Sequence, residues 1–134
     1  MWMPNLAQRR AELSALRWPG ATLQFVGGRE LRFRFKVAPT ALSRVYQCLL
    51  RLHAATFPEM FVTDPDLKIL AQGRKLPHVY PHEGAGTKLC LWLPKAGEWL
   101  PQMRLSDTYL PWAAEWLDYF EEWMATGEWM GRGE

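Results

Sequence analysis

Two residue types in this chain could do covalent chemistry near neutral pH, and both are scarce: two cysteines, Cys48 and Cys90, and three histidines, His53, His78 and His82. A thiol attacks as its thiolate, so a reactive cysteine must be both held and reached. Cys90 is framed that way. It sits in PHVYPHEGAGTKLCLWLPKAGEWLP, residues 77–101, between Leu89 and Leu91. A loop bearing Gly84 and Gly86 precedes it, with His78 and His82 further upstream. A polar loop running into a short apolar segment predicts a thiol at a loop–strand border, where a rigid scaffold can present it. Cys48 offers the same atom in another setting. It shares a face with Tyr46, Leu50 and Leu52 of an apolar stretch and reads as core packing.

Three chemistries compete for Cys90. As an acyl-transfer nucleophile it needs an acyl donor delivered as an activated C-terminus. As a cysteine hydrolase it needs a histidine beside it and a third group orienting that histidine. His78 and His82 are available for that, but no third member stands out. A zinc site would draw on His78, His82 and Cys90, which is one ligand short of the usual four, so no metal and no cofactor are expected. Arg74, Lys75 and Lys88 lie near in sequence and could lower the thiol pKa or meet an acidic partner tail. Each taken singly reads as a solvated loop cation. Glu83 and Asp107 are further polar candidates near the cysteine. His53, at a strand end, is assigned no role.

The elements that must position these residues can be read from periodicity. Pro4 to Leu16 predicts a short helix with Leu6, Leu13 and Leu16 on one face and Gln8, Arg9, Arg10 and Glu12 largely off it, Pro4 in its first turn and Pro19-Gly20 ending it. Thr22 to Val26 predicts a strand, and Gly27-Gly28 a hairpin turn. Glu30 to Val37 alternates, with Leu31, Phe33, Phe35 and Val37 on one face and Arg32, Arg34 and Lys36 on the other. That basic face reads as the wet side of a half-buried antiparallel strand. The aromatics point away from the cations, which disfavours nucleic-acid binding. Arg44 to Leu52 and Met60 to Thr63 predict a third and a fourth strand, and Leu67 to Leu70 a short apolar piece. Ser106 is the expected cap of a late helix that starts properly near Leu110 and stops at Gly127. Tyr109, Trp112, Ala113, Trp116, Phe120 and Trp123 recur at helical spacing and read as a stripe packed on the sheet. The result is an α+β chain: an N-terminal helix, a four-stranded antiparallel meander, an irregular cysteine-bearing segment and a C-terminal helix.

Composition narrows the classes further. A chain of 134 residues fits one domain, 1–134, with eight tryptophans to fill a core. Net charge is +2, which does not argue for nucleic acid. It is polarised, because every charged residue after Leu105 except Arg132 is acidic and the other bases lie upstream, a pattern suited to a protein partner. No apolar run approaches a membrane span, the N-terminus lacks the order of a signal peptide, and two cysteines are no disulfide framework. The expectation is a cytoplasmic protein with free thiols and no membrane contact.

The element order, with three local motifs, resembles the ubiquitin-conjugating fold. Phe57-Pro58 followed by Phe61-Val62-Thr63-Asp64-Pro65 is similar to that family's tyrosine-proline turn and the strand after it. Tyr80-Pro81-His82, with His82 eight residues before Cys90, occupies the place of the family's His-Pro-Asn. Trp99-Leu100-Pro101 resembles its Trp-x-Pro corner. More narrowly, residues 77–101 and the Trp- and Glu-rich helix ending in TGEW resemble the stand-alone conjugating-enzyme-like proteins of bacterial type II CBASS antiphage systems. The resemblance implies that Cys90 carries the C-terminus of a cGAS-like nucleotidyltransferase as a thioester and passes it to an acceptor. It implies that His82 takes the place of an asparagine that supports the oxyanion during transfer. A histidine there can donate one hydrogen bond or act as a base. No adenylate-forming motif is present, so activation falls to a separate activating enzyme or to the partner complex. A non-catalytic binding module on the same fold, scaffolding the nucleotidyltransferase, is the alternative; retention of Cys90 argues against it.

Overall fold

The alternation between Glu30 and Val37 sets the sheet. In a computed structural model that describes residues 4–54, 56–81 and 86–131, strand β2 (Glu30–Val37) pairs antiparallel with β1 (Thr22–Val26) on one side and β3 (Tyr46–His53) on the other. β4 (Glu59–Asp64) follows β3, and β5 (Thr87–Lys88) closes the order β1-β2-β3-β4-β5. The expected four-strand meander is therefore five-stranded. The added strand is two residues long, too short for an alternating pattern to announce. It falls inside the segment expected to be irregular and ends two residues before Cys90. Gly86 makes its entry possible. Its φ is 120°, and a Cβ there would lie 2.4 Å from the Val62 carbonyl oxygen. Gly86 thus serves the close approach of β5 to β4; Gly84 lies outside the described residues.

One face of the sheet carries the core. Leu31, Phe33 and Phe35 of β2, Tyr46, Cys48, Leu50 and Leu52 of β3, and Met60 and Val62 of β4 are all buried. Against them pack α1 (Leu6–Ala15), the short α2 (Leu67–Leu70) and the long α3 (Tyr109–Thr126). The aromatic stripe of α3 does what its spacing predicts: Tyr109, Ala113, Trp116, Phe120 and Trp123 face the core. Pro111 falls in the first turn, where its missing N–H costs little. Gly127, at φ 80°, ends the helix in a left-handed cap.

Three local expectations are corrected. α1 starts at Leu6 behind an Asn5 cap, with Asn5 and Gln8 forming a reciprocal capping box, so Pro4 precedes the helix. Arg9 is buried rather than off the apolar face, because position 9 lies between Leu6 and Leu13 on the same helical stripe. Its guanidinium donates to the carbonyls of Pro101 and Met103 and pairs with Glu12 at 3.1 Å. Ser106 is not a helix cap either. Its N–H and hydroxyl both donate to Glu12 from a 3-10 turn, Leu105–Asp107. Arg9 and Glu12 together rivet the first helix to the Trp99–Asp107 segment.

Candidate active site

Cys90 stands just beyond the last strand of the sheet. The chain returns past itself there. Val79 bridges Leu89, the Tyr80 N–H donates to the Lys88 carbonyl at 2.9 Å, and the Cys90 N–H donates to the His78 carbonyl at 3.0 Å. Leu89 donates to the Met60 carbonyl at 2.9 Å, which ties this strap to β4. Leu89 is buried and Cys90 half-buried, as alternation requires. The His78 carbonyl accepts a second bond, from the Trp116 indole of α3 at 3.0 Å. One carbonyl therefore fixes the cysteine backbone to both the strap and the long helix. The thiol donates weakly to the Trp92 carbonyl at 3.6 Å.

Tyr80 and Cys90 are electrostatic neighbours. Burial, then hydrogen bonding to Cys90 and its charge, push the Tyr80 hydroxyl up to about 12. The phenol thus keeps its proton at physiological pH and is a donor for the sulfur. Lys88 lies over the Tyr80 ring, 4.7 Å from its centroid, and pairs with Glu59 at 2.8 Å. Glu59 also holds Arg51 at 2.9 Å. Burial opposes the Glu59 charge, but Lys88 and Arg51 outweigh it and hold the carboxyl below its usual range. Lys88 is therefore committed to Glu59 rather than free in a loop. Arg74 is committed elsewhere. It donates to the Met124 carbonyl and lies 4.6 Å from the Trp123 ring, at the C-terminal end of α3 where a cation suits the helix dipole. Lys75 is exposed.

The corner after Cys90 is an aromatic cluster. The Trp92 indole donates to the Tyr109 hydroxyl at 2.6 Å, which donates on to the Pro58 carbonyl at 3.0 Å. Trp99 packs on Trp92 and Tyr109, and its indole donates to Thr108. Phe57 meets both tryptophans edge-on. These contacts hold Trp92 and, through it, the carbonyl that meets the sulfur.

Two grooves flank the Leu91-Trp92 ridge. Cys90 opens into one of about 370 Å³, walled by α3 and by Trp129. The other, about 310 Å³, is lined by Tyr80, Lys88, Glu59 and Phe57. Trp129 reaches its place because Gly127 reverses the chain, and it packs on Trp116, Tyr119 and the His78 ring.

Of the residues singled out from sequence, His78 and Cys90 come together across the strap. His82 and Glu83 lie outside the described residues. Asp107 is exposed in the 3-10 turn and lines neither groove. Cys48 is 1% exposed, and burial pushes its thiol up to about 12. No role was expected for the Tyr80 hydroxyl. On α3, Trp112 was expected to pack on the sheet, and Glu115 and Tyr119 carried no functional expectation; all three line the groove. The 3-4 spacing of those three was the available signal. Among the described residues no helix is long and apolar enough to cross a membrane.

A family model for the Type II CBASS E2 protein, E2-CBASS, matches residues 10–134, nearly the whole chain. No curated protein matches it.

Proposed function

We propose a carrier role for Cys90 on one premise: the chain belongs to the type II CBASS E2 protein family. Membership makes it an E2-like component of an antiphage CBASS system. The finer reading is a ubiquitin-conjugating-like fold over residues 1–134 as one domain, working in the cytoplasm as an acyl carrier. The donor is the C-terminal tail of the system's cGAS-like nucleotidyltransferase, activated by a separate enzyme or by the partner complex.

One observation carries this reading above the others. The chain's two thiols are separated by environment: Cys48 is sealed in the sheet, whereas Cys90 is held by its backbone, half-exposed, and open to a groove that can take an extended chain end. The Cys90 thiolate attacks the carbonyl carbon of the activated terminus, the activating group leaves, and a thioester forms. An acceptor amine then attacks that carbonyl. The Cys90 thiolate departs as the amine loses its proton, and an amide remains. Tyr80 steadies the sulfur as an anion in both steps. His82, eight residues before Cys90, is assigned to the oxyanion of the second step.

Cys90→Ser provides the test. Co-expressed with the nucleotidyltransferase and the activating component of its own system, it should accumulate an ester at residue 90 that survives thiol reagents and yields to hydroxide. A serine variant with no adduct, beside a wild-type chain with none, would leave the scaffold reading in front.

A further inference from the structure

The geometry points to a groove that selects a cationic side chain in the tail delivered to Cys90, a proposal that rests on the carrier reading above and names what the same site reads. Trp112, Glu115, Trp116 and Tyr119 occupy positions i, i+3, i+4 and i+7 of α3 and line the groove that Cys90 enters. Seven residues of helix span about 10 Å, the length of roughly three extended residues. An extended chain end therefore fits along α3, whereas a single side chain inserted from outside would use only part of that track. The groove's chemistry is specific. Trp112, Tyr119 and Trp129 are half-exposed and present aromatic faces. Two carboxylates share the lining, Glu98 and Glu115. Glu98 accepts the Leu93 N–H at 3.1 Å, while Glu115 is exposed and makes no ion pair among the described residues. Among the described residues no lysine or arginine lines the groove.

Aromatic faces beside carboxylates attract a cation by quadrupole and charge together, and repel an anion. A planar guanidinium suits them better than an ammonium, because it can stack on an indole while its fork reaches a carboxylate. The occupant is thus an arginine, or less tightly a lysine, within about three residues of the terminal carbonyl. The site's opposite wall supports the assignment. Across the Leu91-Trp92 ridge, Lys88 and Arg51 neutralise Glu59, so the second groove offers no comparable pull on a cation.

The test uses the full chain with Cys90→Ala, to keep thiol chemistry out, and four capped probes, acetyl-Ala-Xaa-Ala-Gly-amide with Xaa Arg, Lys, Leu or Glu. Binding is followed through the indole N–H resonances of Trp112, Trp116 and Trp129. The Arg probe should bind about tenfold tighter than the Leu probe, with Lys between them and Glu weakest, the gap expected of a cation on aromatic and acidic walls. Glu115→Gln, at an exposed position, should shrink the gap to about threefold or less and leave the Leu probe unchanged, and Glu115→Lys should remove the preference; high salt should shrink it too. Equal affinity for the Arg and Leu probes overturns the inference. So does a preference that survives Glu115→Lys, a response confined to other tryptophans, or no binding of any probe at millimolar concentration. The probes end in unactivated amides and the variant lacks the Cys90 thiol, so no thioester can form and the two readings fail separately. A cation preference without any Cys90 adduct leaves this inference standing on a binding module, and an adduct without the preference removes this inference alone.

Discussion

Exchanging the two cysteines for alanine one at a time should produce opposite phenotypes. Cys48 is 1% exposed, in register with Phe35 of β2 and Val62 of β4. Removing its sulfur forfeits roughly 0.8 kcal/mol of burial, comparable to one methylene, and leaves a small cavity, for a total of about 1–2 kcal/mol. For a chain of this size that lowers the melting temperature by about 3–8 °C. Cys90 is half-buried, and its thiol meets only the Trp92 carbonyl at 3.6 Å and the exposed Tyr80, so its alanine variant should stay within about 0.5 kcal/mol of the parent. Reactivity runs the other way. With the Cys48 thiol pushed up to about 12, its thiolate fraction at pH 8 is on the order of 10⁻⁴, and burial blocks access besides. An aromatic disulfide reagent should therefore titrate one thiol per native chain, and none in Cys90→Ala until the fold is lost. Cys48→Ala should keep the reactive thiol and the capacity to form an adduct. Rapid labelling of native Cys90→Ala, or a Cys48→Ala variant that is fully stable yet inactive, would refute the assignment of chemistry to Cys90 and packing to Cys48.

The remaining expectations test other joints of the account. Arg9→Leu should cost about 2–4 kcal/mol in a denaturant melt, because it orphans the Pro101 and Met103 carbonyls and strips Glu12 of its partner; a loss under about 1 kcal/mol would mean the rivet is ornamental. Cys48, raised from 9.0 to about 12, and Tyr80, raised from 10.0 to about 12, both hold their protons longer in the fold than in the unfolded chain. The stability tied to these protons is whole below about pH 9 and falls as pH climbs towards 12, and an unfolding free energy that stays flat over that interval contradicts the burial of the Cys48 thiol. His82→Ala should slow discharge of the thioester more than its formation, by the 2.7–4 kcal/mol of barrier or so that a lost oxyanion donor costs. Single-turnover rates for loading and discharge separate the two steps, and equal effects on both would remove the assigned role.

What could be read from sequence follows from which interactions are local. β1 and β2 match their expected bounds because alternation and the Gly27-Gly28 turn are written in adjacent residues. The aromatic stripe of α3 and its stop at Gly127 are local in the same sense. The burial of Arg9 escapes a reading by residue type, because it follows from helical position and its acceptors lie more than ninety residues away. β5 and the Tyr80–Cys90 pairing depend on the register Val79 to Leu89, which no pattern in residues 81–86 discloses. The groove wall needed the chain reversal at Gly127 to bring Trp129 back onto Trp116 and Tyr119. The framing of Cys90 was legible, since a glycine-bearing loop before an apolar segment is itself a local signal. The neutralisation of Lys88 by Glu59 was not, because it joins β5 to β4 across the sheet.

The central claim, that Cys90 carries the donor's terminus as a thioester, meets its most direct test in intact mass. The chain is purified without reductant after co-expression with the nucleotidyltransferase and activating component of its own system, then weighed before and after mild thiol treatment. The account predicts a species heavier by the nucleotidyltransferase less one water, absent in Cys90→Ala, present in Cys48→Ala, released by thiol, and mapped by proteolysis to the tail's last residue on Cys90. An unmodified mass with every component present, or an adduct that persists in Cys90→Ala, contradicts it.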